Sequence, residues 1–255
     1  MRQRPSLFPL IRASAVIAII LLLVPVALAR GSSSKFRVLH RFYAGNNNNG
    51  GLYSALTLDT EGNLYGTTWG GGSKGFGTIF ELTSFGMDRW KEKVLHSFDW
   101  RTDGNAPRGT LLFDGNATLY GTTNMNGPNH GGTVFEMVRT TGGWTFSVID
   151  DYGSSGGVAL DQAGNLYGSI GPGEYSEGAV TELVHGSGGW TQQYLYSFCH
   201  QAYCPDGSVP FSGVVFDSAG NLYGTTEYGG TGQLGGLGGG TAYQLKHNSD
   251  GTWKH

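Results

Sequence analysis

Short apolar runs recur along the chain and alternate with polar, glycine-rich links. The run GNLYGTT occupies residues 62–68 and returns at 220–226, and close variants stand at 118–123 (TLYGTT) and 164–170 (GNLYGSI). No run has the length or the 3.6-residue period of a helix, and each is rich in the β-branched and aromatic residues that favour strands. The pattern predicts an all-β protein.

The apolar runs belong to a larger repeat. Aligned on Leu-Tyr-Gly, its leucines are Leu64, Leu119, Leu166 and Leu222. Their spacing of roughly 50 residues is typical of propellers and solenoids. Each unit also holds an apolar run ending in aspartate (GTLLFD, 109–114), a run such as GTVFEM (132–137) and a run such as VLHSF (94–98). Four strands in an up-and-down meander form a propeller blade. We therefore predict a β-propeller-like array of four four-stranded repeat units, at about 35–89, 90–143, 144–189 and 190–255.

The sequence at the two ends of the array is compatible with a closed ring and with an open array. Val38–Phe42 (VLHRF) matches the fourth run of a unit but precedes the first unit's inner strand, and Trp253 matches Trp90, Trp144 and Trp190 just where the sequence stops. A closed four-bladed ring would pair Phe36–Phe42 with Thr241–Leu245, because an unpaired strand edge is avoided. The alternative is an incomplete larger propeller, with a truncated chain.

The links and the repeated tyrosines have predicted structural roles. The links DTEGN, DQAGN and DSAGN place aspartate first and Gly-Asn last, which predicts tight turns capped by aspartate, with glycine at positive φ. Because a blade is covered on both faces, we expect the four tyrosines to be mostly buried between units. They are Tyr65, Tyr120, Tyr167 and Tyr223. We expect Gly66 to let the adjacent unit approach closely.

The N-terminus has the features of an export signal. Arg2, Arg4 and Arg12 precede an apolar stretch that ends in the small-x-small sequence Ala27-Leu28-Ala29. We predict a signal peptide at 1–29 and a repeat domain at 30–255, which is secreted, periplasmic or on the cell surface and has no membrane span. The alternative is an uncleaved anchor, for which the apolar stretch is at the short limit.

Composition limits which partners, metals and cofactors are to be expected. The net charge of −3 gives no reason to expect a nucleic-acid partner. The two cysteines, Cys199 and Cys204, are close in sequence in a chain predicted to be exported, which favours a local disulfide. Zinc-ligand spacing and the glycine-lysine-serine pattern of a phosphate loop are both missing from the sequence, so we predict no metal and no cofactor.

The combined motif resembles a known family. Over about Lys35 to Trp253 the chain contains the succession GNLYGTT, GG, GTVFEM, VLHSF, DG, P and G. This succession resembles the repeat of the choice-of-anchor tandem repeat GloVer-containing proteins, which are exported bacterial repeat proteins. The resemblance implies an extracellular or surface location, a repeat array and no established activity. The units are also similar, more loosely, to NHL-type and lactonase-type propellers. That likeness implies that the run ending in aspartate is the innermost strand and the VLHSF run the outermost.

Residues that break the repeat are the better candidates for function, because equivalent residues in every unit are expected to be scaffold. The links that meet on one face of a propeller carry aromatic and polar residues, which suit a sugar or a peptide. The ligand-binding candidates are Trp69, Arg108, His130, Glu174, Tyr175, Phe211 and Tyr228. The alternative is that these residues pack only on one another.

Three functions compete at this point. The sequence contains neither a Gly-x-Ser-x-Gly elbow nor an HExxH motif, and we predict no catalytic residues. The leading hypothesis is a non-enzymatic, exported binding or display module for a surface polysaccharide or protein. The second is an exported hydrolase or lyase acting on a carbohydrate or a lactone, using Glu174, Glu177, His130 and Arg108. The third is a purely architectural surface protein.

Overall fold

The structure is a computed structural model that describes residues 36–42, 50–86, 89–115, 117–153, 156–171, 177–231, 238–248 and 250–255. The chain divides into a unit of residues 1–37 and a compact unit of residues 38–255. The predicted signal peptide lies outside the described residues, so its boundary stays a prediction. All regular secondary structure in the described ranges is β, which confirms that the protein is all-β, and the propeller arrangement stays a prediction.

The strands form four antiparallel sheets in which neighbours follow chain order. Sheet 1 contains β1 (Thr57–Leu58), β2 (Leu64–Thr68), β3 (Thr78–Ser84) and β4 (Trp90–Ser97). Sheet 2 contains β5 (Asn105–Pro107), β6 (Leu112–Phe113), β7 (Thr118–Met125), β8 (Thr133–Thr140) and β9 (Gly143–Asp150), with β5 and β6 both paired to β7. Sheet 3 contains β10 (Val158–Leu160), β11 (Leu166–Ile170), β12 (Ala179–Gly186) and β13 (Gly189–Ser197). Sheet 4 contains β14 (Val215–Phe216), β15 (Leu222–Thr225), β16 (Ala242–His247) and β17 (Trp253–Lys254).

The turn between the first two strands of a sheet is built as the sequence predicts. Asp59 Oδ1 accepts hydrogen bonds from the backbone N–H groups of Glu61 and Asn63, at 2.9 and 2.8 Å. Gly62 adopts a φ of 87°, which favours glycine. Asp161 and Asp217 repeat these bonds in sheets 3 and 4. The repeated aspartates are therefore turn caps.

The repeated tyrosine ties this turn to the sheet. Tyr65 Oη lies 3.0 Å from Asp59 Oδ2 and 2.9 Å from Glu81 Oε1. Burial raises the pKa of the Tyr65 hydroxyl, and the hydrogen bond to Glu81 raises it further. The hydroxyl thus stays protonated, and its single proton can be donated to either acid. Tyr167 makes the same bonds to Asp161 and Glu182 in sheet 3.

The tyrosine ring also packs on the next sheet. The ring centroids of Tyr65 and Trp144 are 5.7 Å apart, and those of Tyr120 and Trp190 are 6.0 Å apart. Tyr167 repeats the contact with Trp253 at 6.0 Å. This alignment of one sheet's tyrosine with the following sheet's tryptophan recurs three times. It buries Tyr65, Tyr120 and Tyr167, as predicted.

The prediction for Tyr223 is wrong, because this ring is 37% exposed. Its hydroxyl keeps the turn contact with Asp217, at 2.9 Å. Among the described residues, however, no ring from another sheet contacts the Tyr223 ring. The sequence motif fixes which face the tyrosine occupies, and burial also requires a neighbour on that face.

The expected role of Gly66 also needs correction. A Cβ at Gly66 would lie 2.6 Å from Phe80 Cζ and 2.9 Å from Leu56 Cδ2. Phe80 belongs to β3 of the same sheet as the glycine, and Leu56 directly precedes β1. Gly121 makes equivalent room for Phe135 in sheet 2. Glycine is therefore needed at this position to accommodate a large ring of its own sheet. Close approach of the neighbouring sheet does not explain it.

The segment Val38–Phe42 packs on sheet 1 without forming a strand. The Phe42 and Phe80 ring centroids are 4.8 Å apart, and His40 Nε2 lies 2.8 Å from Glu92 Oε2. Within the described ranges, β16 pairs with β15 and β17, and the pairing expected for ring closure is not among the strand pairs. A closed ring stays a prediction.

Candidate ligand-binding surface

Two predicted site residues come together through a third. The Trp69 and Tyr53 ring centroids are 6.5 Å apart with planes at 71°, and Arg108 Cζ lies 5.5 Å from the centre of the Tyr53 ring. Tyr53 is 64% exposed and Trp69 41% exposed. We call these three residues the Tyr53 cluster. It presents two accessible aromatic rings and a guanidinium group to solvent.

Strand ends of two sheets position the cluster. Trp69 directly follows β2 and donates its backbone N–H to the Gly51 carbonyl at 2.8 Å. Arg108 directly follows β5, the short strand that pairs with the far end of β7. A Cβ at Gly51 would lie 2.8 Å from Tyr53 Cε2, so glycine at this position leaves room for the tyrosine ring. The cluster therefore joins the same end of sheets 1 and 2.

Tyr53 was missed by the sequence analysis. In GGLYSAL it follows a leucine, as the tyrosine of the repeated strand motif does. The sequence alone therefore suggests a structural role for it. The useful signal is its position, because this tyrosine lies ahead of β1 rather than in β2.

The other predicted site residues lie elsewhere. His130 is exposed in the turn between β7 and β8, with a φ of 61°, and donates its backbone N–H to the Gly127 carbonyl at 3.3 Å. Phe211 and Tyr228 are exposed in the part of the chain that forms sheet 4, and no ring contact joins them. Glu174 and Tyr175 lie outside the described residues. The structure thus groups Trp69 and Arg108 and leaves the other described candidates apart.

The residues of the enzymatic alternative are not joined in the described ranges. No hydrogen bond or ion pair links Arg108, His130 and Glu177 to one another. Nor do the described residues contain a group of three or more histidine, cysteine, aspartate or glutamate side chains that could hold a metal ion.

A half-buried acid, Asp206, anchors the cysteine-containing link between sheets 3 and 4. Asp206 Oδ2 accepts hydrogen bonds from the Tyr196 hydroxyl at 2.8 Å and from the Cys199 backbone N–H at 3.0 Å, and lies 3.1 Å from His200 Nδ1. Burial works to raise the pKa of Asp206, but the bonds from His200 and Tyr196 outweigh it and lower the pKa. The acid is therefore charged at neutral pH and fixes the link to β13.

The same link contains the predicted disulfide. Cys199 and Cys204 are bonded, with their Cα atoms 4.2 Å apart, which confirms the pairing. The link between sheets 1 and 2 contains an equivalent acid, Asp103. It lies 2.9 Å from His96 Nε2, just as Asp206 bonds to Tyr196, the residue equivalent to His96. The acid is thus part of the scaffold, and the disulfide is an addition to this one link.

These observations define an all-β repeat protein of successive four-stranded sheets with an exposed aromatic and arginine cluster. No helix in the described ranges is long and apolar enough to cross a bilayer. The family model of the Gloeobacter/Verrucomicrobia repeat matches residues 28–238. The chain belongs to this repeat family, which confirms the resemblance seen in the sequence. No match was found among curated proteins.

Proposed function

We propose that the protein is an exported, non-catalytic binding module that holds a surface polysaccharide on the Tyr53 cluster. The observation that carries the proposal is the exposed pairing of Tyr53 and Trp69 beside Arg108. An aromatic ring with an apolar face can stack on the C–H face of a sugar ring. The guanidinium group has five N–H donors that can fix the direction of hydroxyl or carboxylate groups.

Export and a propeller arrangement complete this proposal. The basic and apolar N-terminus supports export, and the Cys199–Cys204 bond suits an oxidising compartment. The Tyr–Trp contact occurs between three successive pairs of sheets, and this regularity supports their arrangement as propeller blades. The blades then serve as a rigid scaffold, and the links at the ends of their strands bind the ligand.

A glycan array followed by polysaccharide pull-down with residues 30–255 tests the function. We expect Trp69→Ala to weaken binding at least about tenfold, which corresponds to about 1.4 kcal/mol, because the stacking surface is lost. Trp100→Ala is the matched control, since Trp100 is 36% exposed and has Arg101 5.2 Å above its ring, outside the cluster. We expect it to bind like the wild type.

Three outcomes would contradict the proposal. Equal binding by the Trp69→Ala and wild-type proteins would remove the cluster from the binding site. Shortened glycans after incubation, detected by chromatography, would point to the hydrolase or lyase alternative. Capture of a protein with no glycan binding would make the ligand a protein.

A further inference from the structure

Tyr53 and Arg108 occupy the same position in successive repeat units. Each lies six residues before the aspartate that caps the first turn of its sheet, which is Asp59 in sheet 1 and Asp114 in sheet 2. The repeat keeps the aspartate but has an aromatic ring at this position in one unit and a guanidinium group in the next. Because scaffold residues are alike from unit to unit, this difference favours a role in selecting the ligand.

The backbone around Arg108 is closely packed, although its side chain is exposed. Pro107 and Gly109, on either side of Arg108, are both buried. Pro107 pairs with Thr123 of β7. A Cβ at Gly109 would lie 2.6 Å from the backbone nitrogen of Gly157, which directly precedes β10. The guanidinium group is therefore presented from an ordered backbone, so binding a ligand there does not require the chain to become ordered first.

The charge of Arg108 is not neutralised by any residue that the structure describes. Arg139, on the same sheet, lies 3.5 Å from Glu61 Oε2. Within the described ranges the Arg108 side chain makes neither an ion pair nor a hydrogen bond, and its Cζ lies 5.5 Å from the centre of the Tyr53 ring. A cation–π contact of this kind attracts the guanidinium group to the ring without using its N–H groups as donors to a carboxylate. Those donors are therefore available to a ligand.

We propose that the Tyr53 cluster selects acidic polysaccharides, with a uronic-acid carboxylate paired to Arg108 and a sugar ring stacked on Tyr53 or Trp69. This inference rests on the proposed function, since it names the class of polysaccharide that the same cluster takes. The planar fork of a guanidinium group matches the two oxygens of a carboxylate. Hydrogen bonds between two charged groups are roughly twice as strong as those between neutral groups, so a uronic acid is favoured over a neutral sugar.

The overall charge of the protein makes this selectivity a local property. The formal net charge is −3, and the predicted removal of residues 1–29 would take away three further positive charges, Arg2, Arg4 and Arg12. A protein with this charge does not attract polyanions in general. Preference for an acidic glycan must therefore come from a particular cation that the glycan reaches. Arg108 is a cation of this kind, because it lies beside the two exposed rings of the cluster.

Calorimetric titration of the protein with matched pairs of polymers tests the inference. Polygalacturonate and alginate are each compared with their carboxyl-reduced forms, which keep the sugar chain and lose the charge. We expect at least one acidic polymer to bind at least about tenfold more tightly than its reduced form. This preference should decline as the ionic strength rises from about 0.01 to about 1 M, because the screening length falls from about 30 to about 3 Å.

Substitution of Arg108 separates charge recognition from stacking. Arg108→Gln should remove the preference for the acidic polymer and retain binding of the reduced polymer, which also shows that the variant is folded. Arg101→Gln is the matched control, because Arg101 is also exposed and lies 5.2 Å from the centre of the Trp100 ring, outside the cluster. It should keep the wild-type preference. Dextran sulfate, which carries charge without carboxylates, should bind more weakly than the preferred acidic polymer.

Equal binding of the acidic and reduced forms in both pairs would overturn the inference, and so would an Arg108→Gln variant that keeps the preference. Dextran sulfate that binds as tightly as the acidic polymers would also overturn it, because the attraction would then be general. Lack of binding to all of these polymers, with other glycans bound on the array, would do the same. Trp69→Ala is titrated in parallel. If it weakens glycan binding, the proposed function stands whatever the result for Arg108; if it changes no binding, the proposed function itself fails.

Discussion

The repeated tyrosine offers a matched comparison of covered and uncovered sites within one chain. Tyr65 is fully buried, packs on Phe113 and Trp144 of the next sheet, and is the hydrogen-bond partner of the buried Glu81. Tyr65→Ala should lower the free energy of unfolding by about 3–5 kcal/mol, because a large buried ring is removed. Tyr65→Phe keeps the ring and leaves Glu81 without its donor, which should cost about 1–3 kcal/mol.

Tyr223 has the same sequence context, but it is 37% exposed and no sheet of the described ranges covers it, so Tyr223→Ala should be clearly less damaging. Urea unfolding followed by circular dichroism gives the free energies. Equal losses for Tyr65→Ala and Tyr223→Ala would refute the reasoning that the following sheet supplies most of the tyrosine's stabilisation.

Two further predictions concern pH and the disulfide. Burial raises the pKa of Asp150 from 3.8 to about 6, so the wild-type free energy of unfolding should fall as the pH rises from about 4 to about 6. Asp150→Asn, which can still accept the bond from Gln192, should remove this loss, and parallel pH dependences of the two proteins would contradict it. Thiol titration of the unreduced protein should find no free thiol, and replacing Cys199 and Cys204 by serine should cost about 2 kcal/mol in denaturant unfolding. Two titratable thiols or unchanged stability would contradict this prediction.

The sequence was informative where structure depends on local chemistry. The Asp-x-x-Gly-Asn turns form because aspartate caps them and glycine permits positive φ, and both requirements are visible in a few residues. The four-run repeat likewise predicts four-stranded antiparallel sheets, which the structure contains, with one additional short strand, β5, in sheet 2. The bond between Cys199 and Cys204 followed from their number and spacing.

Other features depend on neighbours that a repeat motif does not specify. Tyr223 has the motif of a buried tyrosine, but no sheet among the described residues covers it. The sequence predicts that Gly66 contacts another unit, yet the nearest atoms belong to Phe80 of its own sheet and to Leu56, which directly precedes β1. Of the candidate site, Trp69 and Arg108 were predicted, but the residue that joins them, Tyr53, is brought there only by the fold.

Hydroxyl-radical footprinting with a bound polysaccharide tests the proposed binding surface most directly. The exposed rings of Tyr53 and Trp69 are available for oxidation in the free protein, and Tyr203, which is 81% exposed and outside the cluster, is an internal control. The account predicts that the polysaccharide protects Tyr53 and Trp69 and leaves oxidation of Tyr203 unchanged. Protection confined to other residues, with Tyr53 and Trp69 oxidised as in the free protein, would contradict it.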